Sequence, residues 1–270
     1  MDGQRTGPEA QTPPTRMRVL GGDVDAVTPA QVLALVDQRI AEGRGAVIAN
    51  HNLHSLYLLR RSADMRSFYA LADLIEADST PMILWARLLG LPISRRHRCT
   101  YLDWRELFWS LASARGWRVF YLGGEPGIAA SGAAAVKQRW PGAAIIVRHG
   151  RFEPSRTGPE NAEVLAAIGS AQPHVLFVGM GMPRQEAWIL DNLDRLGGCV
   201  IFSVGAAFDY EAGAIPTPPR WTGRMGLEWL FRFASEPRRL FSRYMIEPWS
   251  LILPAMEDIW AAARPRGRTT

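Results

Sequence analysis

The sequence predicts a doubly wound α/β fold on a mostly parallel sheet, and three observations carry that expectation. Short apolar runs alternate with segments of helical period along most of the chain. Those runs are apolar throughout rather than alternating, as in strands covered on both faces. Of 270 residues, 47% are hydrophobic, enough for one large core or two small lobes sharing one.

The opening "MDGQRTGPEAQTPPT" is rich in Pro, Gln and Thr, lacks an apolar centre and reads as a disordered leader over 1–16, not a signal peptide. "VLGGDVDAVTPAQ" reads as a solvated turn. In "TPAQVLALVDQRIAEG", Thr28 is the cap, Pro29 opens a helix, Val32, Leu33, Val36 and Ile40 share a face, and Gly43 ends it. "GAVIA" is a strand, then "DLIEA". "PMILWARLL" is a helix with Thr80 as cap, Pro81 first and Gly90 past its end. "DWRELFWSLASARG" is a helix, "WRVFYLGG" a strand, "PGIAASGAAAVKQRW" a helix and "AAIIVRHG" a strand. A helix over 159–170 leads into strand "HVLFVG", and helix "PRQEAWILDNLDRL" into strand "CVIFSVG". From Arg220 the composition changes: arginines stand among tryptophans and phenylalanines in "RWTGRMGLEWLFRFASEPRRLFSRYMIEPW". The expected organisation is a Rossmann-like body over 17–219, an amphipathic appendage over 220–262 and a basic tail over 263–270.

Two cysteines exclude a disulfide scaffold. No run approaches the ~18 apolar residues that span a bilayer. The expectation is a soluble or peripheral protein of the cytoplasm. A net charge of +5 suggests nucleic acid, anionic lipid or a phosphorylated substrate. The basic residues mix with large apolar ones at helical spacing, unlike an exposed basic stripe, so nucleic acid is not expected.

Four strand ends carry candidate residues: "NHNLH", "DST", "GGEPG" and "GMGMPRQE". Asp78 stands where a strand's carboxyl end turns into a helix, the edge at which open parallel sheets gather ligands. Its plainer reading is a turn residue. Gly123 and Gly124 would let backbone approach a phosphate at a helix N-terminus. Gly179 and Gly181 loosen the loop before Arg184, Gln185 and Glu186, and either pair could equally be steric. As a dinucleotide fingerprint "GMGMPR" lacks its third glycine. Asp23 and Asp25 look like a metal-binding DxD but precede the first helix. His51 and His54 lack a third ligand nearby. No metal site is expected, and no G-x-S-x-G elbow supports serine hydrolysis.

Taken together, "ADLIEADSTPMILWARLLG", "VLFVGMGMPRQEAWI" and "VGAAFDYEAGAIPTPPRWTGRMGLEWLFRFASEPRRLFSRY" resemble the WecG/TagA/CpsF family of bacterial glycosyltransferases, from about Met17 to Tyr244. The resemblance implies inverting, metal-independent transfer from a UDP-sugar to a polyprenyl-diphosphate-linked saccharide, in surface-polysaccharide synthesis, with no cofactor. It implies a peripheral enzyme on the inner face of the cell membrane, its appendage closing over the site there. Asp78 matches the family's base and Asn52 its active-site asparagine. Arg96 falls on an arginine facing the phosphates, and Gln185 and Asp209 on substrate-binding positions, Asp209 reading uracil. Arg232, Arg239 and Arg243 fall on basic positions of the appendage. Asn50 and Gly205 complete the substrate-binding set.

Three positions depart from the family pattern. Ser79 replaces the glycine after the base, Asn50 a threonine, and Tyr101 stands where an aspartate is common. They leave the donor sugar open among N-acetylmannosamine, its uronic acid and glucose. A homo-oligomer also stays open. The alternatives are a non-catalytic nucleotide-sugar-binding module at the membrane and an NAD-type enzyme on the same fold.

Overall fold

The computed structural model describes residues 14–219, 222 and 227–263, with the Arg239 side chain outside the described set. The chain opens with a two-stranded antiparallel ribbon, β1 (Arg16–Val19) and β2 (Gly22–Asp25). The sequence reading counts Arg16 with the leader and takes Asp23 to Asp25 for a solvated turn. Both expectations give way to this ribbon. Asp25 is buried, accepts two hydrogen bonds from Arg16 at 2.9 and 2.8 Å, and accepts a third from the Ile75 amide at 2.8 Å. Its carboxylate thus satisfies a backbone donor on the sheet's edge strand, which would otherwise lack a partner.

The body then alternates strand and helix. α1 (Pro29–Ala41) carries the expected capping box between Thr28 and Gln31. There follow β3 (Ala46–His51), α2 (Leu53–Leu59), α3 (Ala63–Leu71), β4 (Leu74–Ala77) and α4 (Thr80–Leu88). Next come α5 (Tyr101–Arg115), β5 (Arg118–Gly123), α6 (Ile128–Arg139), β6 (Ala144–Arg148) and α7 (Pro159–Ala171). β7 (Val175–Gly179), α8 (Arg184–Asn192), β8 (Val200–Ser203) and α9 (Ala207–Glu211) complete it. Helix α4 begins one residue earlier than the sequence suggests, with Ser79 before it and no side-chain cap. Pro81 sits in the first turn, where its missing N–H would have had no helical partner.

Six strands form one sheet in the order β4-β3-β8-β7-β5-β6, every pairing parallel. Strand alternation sends Ala49, Ile75, Phe120, Val178 and Ile201 to one face, against α3, α4, α7 and α8. Ile48, Leu74, Tyr121, Phe177 and Phe202 pack on the other, against α1, α5 and α6. With both faces covered, the carboxyl edge is where polar side chains can gather.

Beyond α9 the chain forms α10 (Glu228–Ser235), α11 (Pro237–Phe241), a wide turn over Ser242–Ile246, a tight one over Glu247–Leu251, and α12 (Ile252–Ala263). Pro237 separates α10 from α11, as a residue without an N–H should. The last helix is fastened to the body by Asp258, which accepts from the Leu20 amide at 2.8 Å and the Trp85 indole at 2.9 Å.

Asp25→Ala should lower stability by about 2 kcal/mol, the cost of a buried donor left unpaired. Urea unfolding measures the loss, and amide exchange at Ile75 should accelerate with it.

Candidate active site

Asp78 follows β4 directly, its amide held by the His51 carbonyl at 2.9 Å, so the end of β3 sets the position of its backbone. Two cavities meet at this residue. The inner one, of about 350 Å³, runs along the carboxyl ends of β3 and β8. The outer one, of about 410 Å³, opens between α4 and the C-terminal segment beside Trp229, Met245 and Pro248. Asn52, His54, Asp78, Arg232, Arg243 and Tyr244 line both.

Removal from water pushes the Asp78 pKa up to about 6, against the pull of Arg232 and Arg98. Arg98 pairs with Asp103 at 3.1 Å and with Glu228, and Glu228 pairs in turn with Arg232 at 3.3 Å. This chain of charges runs from α5 through the loop before it into α10, and so joins body to C-terminal segment beside Asp78. Arg232 also lies 5.5 Å from the Tyr210 ring centre, and its Nε has no hydrogen-bond partner.

Asn52 caps α2, its Oδ1 accepting from the His54 and Ser55 amides at 3.0 and 3.1 Å and from Arg243 at 3.3 Å. His54 meets Glu247 at 2.5 Å; burial, then Arg243, lower its pKa against the pull of Glu247. Asn50 donates to the Ser203 carbonyl at 2.6 Å and so ties β3 to β8 beneath the cleft. Gln185 is fully buried; its Oε1 accepts from the Gly181 and Gly205 amides at 3.1 and 3.3 Å, pinning the loops after β7 and β8. Burial pushes the neighbouring Glu186 up to about 7.

A carboxylate at the junction of two cavities, faced by arginines, is the geometry of group transfer between two substrates. The sequence comparisons carry this further. The Glycosyl transferase WecG/TagA/CpsF family description matches residues 17–265. The chain belongs to this family. Two proteins named N-acetylglucosaminyldiphosphoundecaprenol N-acetyl-beta-D-mannosaminyltransferase, from Staphylococcus aureus strains MW2 and NCTC 8325 / PS 47, are each 23% identical over 242 residues. The matches cover 86% of this chain and 89% of theirs.

In this glycosyltransferase the fold brings Asp78, Asn50, Asn52, Gly181, Gln185, Gly205, Arg232 and Arg243 to the cleft. It does not bring Arg96, which is exposed in a short turn over Arg95–His97 with its Nε on His97 at 3.1 Å. Arg98, two residues on, lines the outer cavity instead. Asp209 lies on α9 and lines neither cavity, and the Arg239 side chain lies outside the described residues. Gly123, Gly124 and Gly179 also stay out of the lining. Gly123 and Gly179 face each other across β5 and β7, where a Cβ on Gly123 would come within 2.4 Å of the Gly179 carbonyl. Their place in the fold is close strand packing.

His51 is buried, bonded to Ser55 at 2.8 Å and stacked on Tyr69. Among the described residues no three His, Cys, Asp or Glu side chains are grouped to hold a metal ion. Tyr101 donates to Glu211 at 2.9 Å and accepts from Trp109 at 3.0 Å, so this departure from the family pattern builds a packed hydrogen-bond knot in the cleft wall. Sequence reasoning missed Glu76, Arg98, Trp104 and the His54–Glu247 pair. A carboxylate inside the apolar run "LIEA" was the available signal for the first.

Because the folded-state pKa of Asp78 lies above its ordinary value of 3.8, its ionised form weakens folding, fully so above about pH 6. Asp78→Asn should therefore raise the Tm at pH 7, and the gain should vanish as the pH falls below about 4, followed by calorimetry across that range.

Proposed function

We propose that this glycosyltransferase moves a sugar from UDP onto a polyprenyl-diphosphate-linked saccharide, with inversion at the anomeric carbon and Asp78 as the base. The observation that carries the reading is the position of Asp78 at the junction of two cavities, one for each substrate. The UDP-sugar occupies the inner cavity and the acceptor enters through the outer one. The acceptor hydroxyl oxygen attacks C1 from the face opposite UDP and gives its proton to Asp78. The bond from C1 to the β-phosphate oxygen breaks, and its electron pair leaves with UDP. Arg232 and Arg243 face the charge that grows on the departing diphosphate, work that requires no metal.

A pKa near 6 suits this task better than an ordinary aspartate, since a base operates best when its pKa approaches the working pH. The outer cavity supports a lipid-linked acceptor because its mouth adjoins the most apolar exposed surface described. Ile246, Trp249, Leu253, Met256 and Trp260 are all more than half exposed on the C-terminal segment. A cluster of exposed large apolar side chains of this kind fits a peripheral membrane contact. No helix among the described residues is long and apolar enough to cross a membrane. The relatives' printed activity makes UDP-N-acetylmannosamine the first donor to test, with product identified by mass on an N-acetylglucosaminyldiphosphoundecaprenol acceptor. UDP binding without product from any donor and acceptor would favour the non-catalytic module instead.

Asp78→Asn should cut turnover on the order of 10²-fold or more while UDP binding stays within a fewfold. The acid limb of kcat/KM against pH should fall near 6, and Arg232→Ala should move it upward, because that arginine holds the pKa down. Turnover should survive EDTA; loss on chelation that Mg²⁺ restores would refute metal independence.

Arg232→Ala and Arg243→Ala should lower turnover strongly while binding to anionic vesicles falls slightly, since one surface cation contributes only about 1 kcal/mol to lipid attraction. Activity lost only in proportion to vesicle binding would reduce the segment to an anchor.

A further inference from the structure

The inner cavity ends, on the side of β4 and α5, at a wall that the transfer chemistry does not use. Glu76, Cys99, Thr100, Tyr101 and Trp104 line it. Three of these are already engaged: Cys99 with the Val27 carbonyl, Thr100 with Asp103, and Tyr101 with Glu211 and Trp109. Glu76 is 3% exposed and Trp104 1%, and the Oε1 of one and the Nε1 of the other have no hydrogen-bond partner. The indole draws the Glu76 pKa down without an aligned bond, but burial and the nearby Asp78 outweigh it and hold the carboxyl well above its usual range. In its protonated form, which burial favours, the carboxyl can both donate and accept.

Strand alternation places Glu76 on the same face as Leu74, which belongs to the apolar cluster that contains Trp104 and Phe202. An apolar residue would fill that position at lower cost, because buried polar atoms without partners weaken folding. Such atoms persist where a ligand completes them. Among the described residues, the basic side chains lining the inner cavity are His54, Arg232 and Arg243, and all three adjoin the C-terminal segment rather than this wall. A carboxylate entering at Glu76 would be buried with no cation among the described residues beside it.

We infer that Glu76 and Trp104 form a polar end-pocket that receives a hydroxyl of the donor's sugar ring, and that the sugar it selects is uncharged. This rests on the UDP-sugar reading of the inner cavity. Glu76 is then a specificity-determining residue: its carboxyl and the indole N–H bond the ring substituent and turn away a hexuronate.

The test is calorimetric titration of the full chain with UDP alone and with two matched pairs. These are UDP-glucose with UDP-glucuronate, and UDP-N-acetylmannosamine with UDP-N-acetylmannosaminuronate. At least one neutral sugar should bind ten-fold or more tightly than its uronate partner. Glu76→Leu should lower affinity for that sugar about ten-fold, leave UDP affinity within two-fold, and raise the Tm. Glu76→Gln, which keeps a neutral donor and acceptor, should retain sugar affinity within about three-fold. A uronate that binds as tightly as its neutral partner, or a Glu76→Leu protein that keeps its full preference for sugar over UDP, would overturn the inference. Failure of the wild-type chain to bind UDP at all would overturn the donor reading itself, and this inference with it.

Discussion

A carboxylate taken out of water ionises only if cations remain close, and here much of that charge arrives from the far end of the chain. Asp78 belongs to the body, whereas Arg232 belongs to α10 and Arg243 to the turn after α11. The site is complete only when the C-terminal segment is seated. Leu251 joins the core, and polar contacts complete the seating: Arg98 holds Glu228, His54 meets Glu247, and Asp258 takes two donors from the ribbon and α4. Charge pairs of this kind fix geometry more than they add stability, since each buried ion gives up its hydration. They suit a segment that must lie in one place over a cleft while its outer face stays apolar.

The second constraint is the parallel sheet. Helices cover both faces, so backbone and side-chain polarity is confined to the edge where strands end and helices begin. Crowding at that edge accounts for its small residues. A Cβ on Gly179 would come within 2.5 Å of both the Gly205 carbonyl and the Tyr121 hydroxyl. The loops that carry Gly181 and Gly205 can then lie side by side, with Gln185 bridging their amides. Gly123 and Gly179, two of the glycines that look like a phosphate cradle in the sequence, let neighbouring strand ends approach one another.

The elements were legible because their signals are local. Thr28 and Gln31 are three residues apart and cap each other; Pro159 opens α7; Pro237 divides the C-terminal helices. Asp25 was misread for the opposite reason. What makes it structural is the amide of Ile75, fifty residues away in sequence. Arg96 and Arg98 share one basic run, and composition cannot say which of the two meets Glu228 across 130 residues. Glu76 passed unnoticed because a strand written in one dimension does not reveal that its Oε1 has no hydrogen-bond partner.

By itself the sequence determined the alternation of strands and helices, the parallel sheet, the position of Asp78 at a strand's carboxyl end and the change of character beyond Arg220. These follow from periodicity, caps and turn chemistry acting over a few residues, and the family resemblance rests on the same ordered segments. The tertiary structure decided which arginines reach the cleft, that two cavities share one carboxylate, and which buried polar atoms are left without a partner. Those are properties of distance and burial between residues far apart in the chain. They come into being only when packing removes water from one group and brings another beside it.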